Sequence, residues 1–478
     1  MARKLFISVL GTGLYEKGVY TQGDFRSSET RFIQQATLEL TGCKETWTEE
    51  DRVCILLTDK AKELNWEVSS RIHPHTKEEI AYEGLNTLLQ RMDLRPQITP
   101  VSICNGKNKE EMWKIFQTTF ELIQDGDELY FDLTHSFRYL PMLILVLSNY
   151  AKFLKNIRIA HISYGNYEAR NEEGSPIVDL LPLTVLQDWT FAAADFLHNG
   201  RSEQLTQLTQ QVFKPILRNT CGQNKEASNL EYFSNSLQRM TNNLQMCRGL
   251  EITHNDNIAK LQKNIENLSK EIIIPLIPIV NKITQSFTRF STDSNILNGL
   301  HAAQWCYDNQ MYQQAITILQ ETVVTYICHN ENLSITDKDA RNLVNTAFYV
   351  IGKRWQEREN LWTLPKYGEG NEALNKVREL IKLPIMIALS NSFENATEIR
   401  NDFNHAGFRK QVFSPKQLIE KIEKSIKDIH DIIINENYVH LDYSFLSDDI
   451  PWVAWRNVDA IVKSDITDEK DYRRDKTK

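Results

Sequence analysis

No two of the seven cysteines, at positions 43, 54, 104, 221, 247, 306 and 328, stand in C-x-x-C spacing, and the total is odd. That excludes a disulfide-stapled fold and reads as reduced thiols in a cytoplasmic protein. Long hydrophobic runs are missing too: "YLPMLILVL" and "IIIPLIPIV" are the longest, well short of the roughly 20 apolar residues that span a bilayer, so no membrane partner is expected. The start, "MARKLFISVLGTG", passes from basic residues straight into a strand-like stretch without a small-residue cleavage site, so no signal peptide is read there. Positive charge is not in excess. A formal net charge of -8 excludes a broad non-specific nucleic-acid coat, so any nucleic acid must meet a local basic site. Metal-ligand clusters are absent from the sequence pattern; His73 and His75 in "IHPHT" are the one close histidine pair, and they read as structural, so no metal is expected.

What is there is a globular composition, 41% hydrophobic and 10% aromatic over 478 residues, enough for about three domains. Strands are predicted at "KLFISVL" (4–10), "RVCILLT" (52–58), "QITPVSI" (97–103), "ELYFDLT" (128–134) and "IRIAHISYG" (157–165), each rich in β-branched or aromatic residues. Amphipathic stretches lie between them, among them "SETRFIQQATLEL", "EEIAYEGLNTLLQRM" and "EEMWKIFQTTFELIQ". This alternation predicts an α/β, Rossmann-like parallel sheet over residues 1–185. The strand signal then stops. Residues 186–290 are polar, glycine-poor and helix-prone, and read as an all-α connector. Residues 291–478 stay helical, with "LHAAQWCYDNQMYQQAITILQETVVTYIC" and "PKQLIEKIEKSIKDIHDIII" among the segments, and end in a charged tail, "TDEKDYRRDKTK".

Two constellations carry chemistry. "GTG" at Gly11, Thr12 and Gly13 follows the first strand, and "DLTHSFRYLP" from Asp132 to Pro141 follows the fourth and opens an apolar helix. Ligands of open α/β sheets bind outside the carboxyl ends of the strands, where both motifs fall. His135 and Arg138 stand near a helix start that is already electrically positive, so a bound anion, met also by the Thr134 and Ser136 hydroxyls, would resolve the conflict. The alternative is a Ser136 N-cap with an incidental arginine. A nicotinamide dinucleotide fits poorly, because the third glycine of its fingerprint is replaced by Glu16.

The second constellation is "EIRNDFNHAG" at 398–407. Leu389, Phe393, Ala396, Ile399 and Phe403 recur every three or four positions as a core-facing seam, and Arg400, Asn401 and His405 fall away from it. Ala406 and Gly407 supply the helix stop. A permanent cation that clamps phosphate, beside a histidine that titrates near neutrality, suits metal-independent RNA cleavage by attack of a 2′-hydroxyl on the adjacent phosphorus. Asn401 would orient the histidine or a phosphate oxygen. One histidine does not easily serve as base and acid in one step, but two copies meeting at a dimer axis do.

"VLGTGLYEKGVY", "TRFIQQATLEL", "DLTHSFRYLPM" and "RNDFNH" together resemble the CRISPR-associated CARF-HEPN ribonucleases, ancillary effectors of type III CRISPR antiviral defence. The resemblance spans nearly the whole chain. It implies a CARF-type sensing domain, a helical connector and a HEPN domain whose R-x(4-6)-H motif falls on Arg400 and His405. It implies activation by a cyclic oligoadenylate, the tetra-adenylate favoured over the hexa-adenylate, held by Gly11, Thr12, Gly13, Thr134, His135, Ser136 and Arg138. Ser136 departs from the family's usual glycine. Single-stranded RNA is the implied substrate, and a homodimer, or a larger assembly of dimers, the implied state. A non-catalytic sensor whose helical domain docks a partner or nucleic acid is the rival reading.

Overall fold

The computed structural model describes residues 2–72, 77, 79–135, 139–253, 259–261, 263, 277–354, 359–410 and 412–435. The chain divides into two compact units, Met1–Gln187 and Asp188–Lys478.

In the first unit the strands are β1 (Lys4–Leu10), β2 (Tyr20–Gln22), β3 (Phe25–Arg26), β4 (Arg52–Leu57), β5 (Ser69–Ile72), β6 (Glu79–Tyr82), β7 (Gln97–Ser102), β8 (Glu128–Asp132), β9 (Arg158–Gly165) and β10 (Ser175–Asp179). The main sheet runs β3-β2-β10-β9-β8-β1-β4-β7. Strands β1, β4, β7, β8 and β9 are the five expected from sequence, with ends moved by one or two residues at most, and they pair in parallel. The sheet as a whole is mixed, because β10 runs antiparallel to β9 and β3 antiparallel to β2. Both β2 and β3 are too short to display a period of two, which is why the sequence pattern misses them.

The parallel strands are sandwiched on both faces. In β1, Leu5, Ile7 and Val9 join Ile115, Leu140, Ile144 and Leu147 in one buried cluster, while Phe6 and Leu10 join Phe32, Leu38, Trp47 and Leu85 in another. Burial on both sides explains why such strands read as continuous apolar runs rather than alternating ones. The chain builds outward from β1 through β4 to β7, then crosses back to β8 and β9, so the order reverses between β1 and β8.

One expected helix is shorter than its sequence pattern. Within "EEIAYEGLNTLLQRM", Glu79–Tyr82 form β6, paired antiparallel with β5 in a separate two-stranded sheet, and the helix starts only at Leu85. Gly84 marks the break: a Cβ there would lie 2.3 Å from the Trp66 carbonyl oxygen, so only glycine permits this backbone approach.

The described residues of the second unit are helical. The helical segment read from residue 300 consists of two helices, Asn298–Asp308 and Tyr312–Asn330, separated at Gln310 with φ +60°. Tyr312–Asn330 buries Ile316, Leu319, Val323 and Ile327 and packs against the helices Lys338–Tyr349, Pro384–Asn404 and Pro415–Ile434. Pro415–Ile434 opens with a capping box, Ser414 and Gln417 bonding each other's backbone. Among the described residues no helix is long and apolar enough to cross a membrane.

Candidate functional site

Ser8 of β1 lies in register with Asp132 of β8, so the Gly11–Gly13 loop and the turn through Thr134 and His135 leave the sheet side by side at its strand reversal. Asp132 is buried. Its carboxylate accepts from Ser8 Oγ at 2.6 Å and from Thr134 Oγ1 at 2.5 Å and N at 3.2 Å. Burial pushes the Asp132 carboxyl up, and these hydrogen bonds pull back against it. The Thr134 hydroxyl also accepts from Gly165 N at 2.8 Å, tying the end of β8 to the end of β9. Gln34 closes the network, its Nε2 donating to Ser8 Oγ (3.1 Å) and to the Val9 carbonyl (3.0 Å).

Tyr15 stacks on His135, with ring centroids 4.0 Å apart and planes 20° apart. The two glycines of "GTG" make room for that ring. A Cβ on Gly11 would come 2.4 Å from Tyr15 Oη, and one on Gly13 would come 2.8 Å from Tyr15 Cε1. The loop is pinned from outside by two side chains that no motif announces. Asn65 Nδ2 donates to the carbonyls of Gly11 (2.7 Å) and Gly13 (2.9 Å). Arg71, on β5, donates through Nη1 to the Gly13 carbonyl and Asn65 Oδ1, both at 2.9 Å, and through Nη2 to the Thr12 carbonyl at 3.1 Å. Arg31 donates to the Tyr15 carbonyl at 2.9 Å, and both guanidinium groups lie over the Tyr82 ring, at 5.0 and 5.4 Å. Among the described residues, no carboxylate forms an ion pair with Arg31 or Arg71.

The expectation of a cationic His135 is corrected. Burial lowers its pKa to about 4, and its Nε2 is buried without a hydrogen-bond partner, so the imidazole is neutral at pH 7. Among the described residues, the positive charge beside the loop comes from Arg31 and Arg71. Ser136 and Arg138 lie outside the described residues. The helix after the motif begins at Leu140, with Tyr139 at its N-cap and Pro141 in its first turn, later than the sequence suggests.

In the second unit, the seam read from sequence is buried at Leu389, Phe393, Ala396 and Ile399. Asp402 is buried as well, its Oδ1 without a hydrogen-bond partner, which the pattern does not announce. Arg400 is half-buried, and Asn401 and His405 are exposed. The helix ends at Asn404. His405 is its C-cap, donating its backbone N–H to the Asn401 carbonyl at 3.1 Å, and Ala406 (φ +49°) and Gly407 (φ +74°) turn the chain away. Arg400 and His405 do not bond each other. Arg400 Nη1 donates to Gln320 Oε1 at 2.8 Å and lies 3.0 Å from Glu321 Oε1, both on Tyr312–Asn330. Among the described residues no side chain bonds the His405 imidazole, and the residue is exposed.

A family model described as the second domain of the CRISPR-associated protein MJ1674 matches residues 185–296. The CRISPR-associated protein MJ1674 of Methanocaldococcus jannaschii is 23% identical over 331 residues, covering 68% of this chain and 45% of that protein. The chain thus spans less than half the length of the curated relative it matches. A solved structure, Enterococcus italicus Csm6 bound to cyclic hexa-2′-fluoro-hexa-dAMP, aligns over 97% of this chain and 99% of its own, at 8% identity and a TM-score of 0.39. That likeness is too loose to carry an argument about fold or ligand.

Proposed function

We propose that this chain, which is similar to the CRISPR-associated protein MJ1674 and matches the model of its second domain over residues 185–296, is a cytoplasmic, homodimeric CARF-HEPN endoribonuclease of type III CRISPR antiviral defence, switched on by a cyclic oligoadenylate and cutting single-stranded RNA without a metal. Residues 1–185 sense the activator, residues 186–290 connect, and residues 291–478 cleave as a HEPN domain. The observation that carries the reading is the end of the Pro384–Asn404 helix, where a half-buried, tethered Arg400 guanidinium stands in the last turn and an exposed His405 caps the helix five residues on.

At this site a scissile phosphate lies against Arg400, which balances the charge gathering on its oxygens. Asn401 holds a phosphate oxygen or the imidazole. His405 of one protomer takes the proton of the attacking 2′-hydroxyl, and the second copy of His405 gives one to the leaving 5′-oxygen, so the products carry a 2′,3′-cyclic phosphate and a 5′-hydroxyl. In the sensing unit, the activator's phosphates meet Gly11, Thr12, Gly13, Thr134, His135, Ser136 and Arg138 at the strand reversal, with Arg31 and Arg71 supplying cationic charge.

The test is cleavage of a labelled single-stranded RNA in EDTA, with and without cyclic tetra- or hexa-adenylate. Activity is expected with the tetra-adenylate, and His405→Ala should lose about two to four decades of rate. A strict need for a divalent ion, or a fully active alanine variant, overturns the reading. A chain that binds the activator and cleaves nothing is the sensor alternative.

A further inference from the structure

We infer that Gln320 and Glu321 are positioning residues that set the Arg400 guanidinium for a substrate phosphate, a role that rests on the ribonuclease reading above. Arginine presents its five donors in a rigid planar fork, so fixing one edge aims the other. Here the Nη1 edge is taken, by Gln320 Oε1 at 2.8 Å and Glu321 Oε1 at 3.0 Å. Among the described residues nothing bonds Nε or Nη2, and the side chain is 30% exposed, so the remaining edge is free to take two phosphate oxygens.

The orientation of Gln320 is decided by its partners. The Thr397 hydroxyl donates its one hydrogen to the Phe393 carbonyl at 2.8 Å, so it can only accept from Gln320, whose Nε2 lies 2.7 Å away. That turns Oε1 toward Arg400. Gln320 is itself buried at 6% exposure, and it spans Thr397 and Arg400, one turn apart on the same helix. It therefore ties the rotation of that helix to the direction of the guanidinium.

Glu321 adds charge balance rather than neutralisation. Its Oε1 faces Arg400, while its Oε2 lies 2.6 Å from Arg341 Nη2. Arg341 is anchored by donating to Thr325 Oγ1 at 2.8 Å and to the Ile335 carbonyl at 3.0 Å. One carboxylate shared by two guanidinium groups leaves the trio with one net positive charge. The carboxylate thus steers Arg400 without cancelling the charge that recruits phosphate.

The experiment compares Gln320→Leu, Glu321→Gln and Thr397→Val with the wild type in the full-length chain. Two readouts are used: steady-state RNA cleavage under saturating activator, and the phenylglyoxal labelling rate of Arg400 read by peptide mass spectrometry. Thr397→Val removes the hydroxyl that orients the Gln320 amide, together with its bond to the Phe393 carbonyl, while leaving Gln320 and Glu321 in place, and it keeps the inference testable should Gln320→Leu fail to fold. Misaimed by the loss of either partner, Arg400 should label faster, and kcat should fall about 10- to 100-fold, the scale of a misplaced group, with KM nearly constant. In an Arg400→Ala background the Gln320→Leu change should cost nothing further. A lowered KM or raised rate in Glu321→Gln would mean that the carboxylate competes with RNA, and it overturns the inference. Unchanged kcat and labelling in all three variants overturn it as well and leave the ribonuclease reading intact. A wild type that cleaves no RNA overturns the ribonuclease reading, and the labelling then still decides whether Gln320 and Glu321 hold Arg400.

Discussion

The Tyr15 ring lies flat on the His135 imidazole, at 4.0 Å between centroids, and so joins the loop after β1 to the turn after β8. The stack spans the place where the sheet reverses direction. It also buries the imidazole, which takes a proton only near pH 4 when folded, against 6.5 when free. Between those values the unfolded chain binds more protons, so stability is lost as pH falls from 6.5 toward 4 and is unaffected above 6.5. His135→Phe keeps a ring for Tyr15 and removes the titration. The melting temperature of the wild type should therefore fall more steeply between pH 6.5 and 5 than that of the variant. Parallel curves would show that the imidazole is not buried as described.

Asp132 gives a prediction of a different kind, because it is buried with hydrogen bonds and no cation among the described residues. Asp132→Ala leaves the Ser8 and Thr134 donors without an acceptor and should destabilise the sheet unit by about 1–3 kcal/mol per stranded group. Asp132→Asn keeps one acceptor oxygen and should cost less. Urea denaturation of both variants measures the ordering; an alanine variant as stable as the asparagine one would mean that the network does not hold the strand ends.

The two sites were unequally legible in the sequence. Residues 4–10 and 52–57 announce themselves as apolar runs buried on both faces, and the strand ends then bring Gly11–Gly13 and Thr134–His135 together, since both follow central strands. Arg71 could not be found this way. It reaches the Thr12 carbonyl across 59 residues, from a β-hairpin that reads as helix and turn, and no local period encodes such a contact. Gln320 meets Arg400 across 80 residues for the same reason. The charge of His135 was misjudged because helix-dipole reasoning sees position in the chain, whereas its protonation is set by burial under Tyr15.

Arg71 should matter to the activator in proportion to its charge. It shares the Tyr82 ring with Arg31 and lacks a carboxylate partner among the described residues, so an anion near the Gly11–Gly13 loop gains from it directly. Arg71→Gln retains donors for the loop carbonyls and removes the charge. Loss of one charge-assisted contact costs on the order of 1.5–3 kcal/mol, so the midpoint of the activator dose-response should rise by about one to two decades with an unchanged plateau. His405→Ala should instead abolish the plateau. Calorimetric titration with cyclic tetra-adenylate checks the first effect, and an Arg71→Gln isotherm identical to wild type would remove that residue from the binding site.

The dimer itself can be tested through His405. On the proposed mechanism, acid and base roles in a single displacement take two histidines, and each chain carries one at the end of the Pro384–Asn404 helix, so the site would draw His405 from both protomers. Mixing wild type with a threefold excess of His405→Ala and allowing subunits to exchange should then do more than dilute. With random pairing, one quarter of the chains are wild type and about one sixteenth of the dimers hold two intact copies, so activity should fall to that smaller fraction. Exchange is verified beforehand by mass shift of differently tagged chains. Activity that tracks the one-quarter fraction after verified exchange would mean that each protomer carries a complete site, and the proton leaving with the 5′-oxygen would then have to come from another group on the same chain.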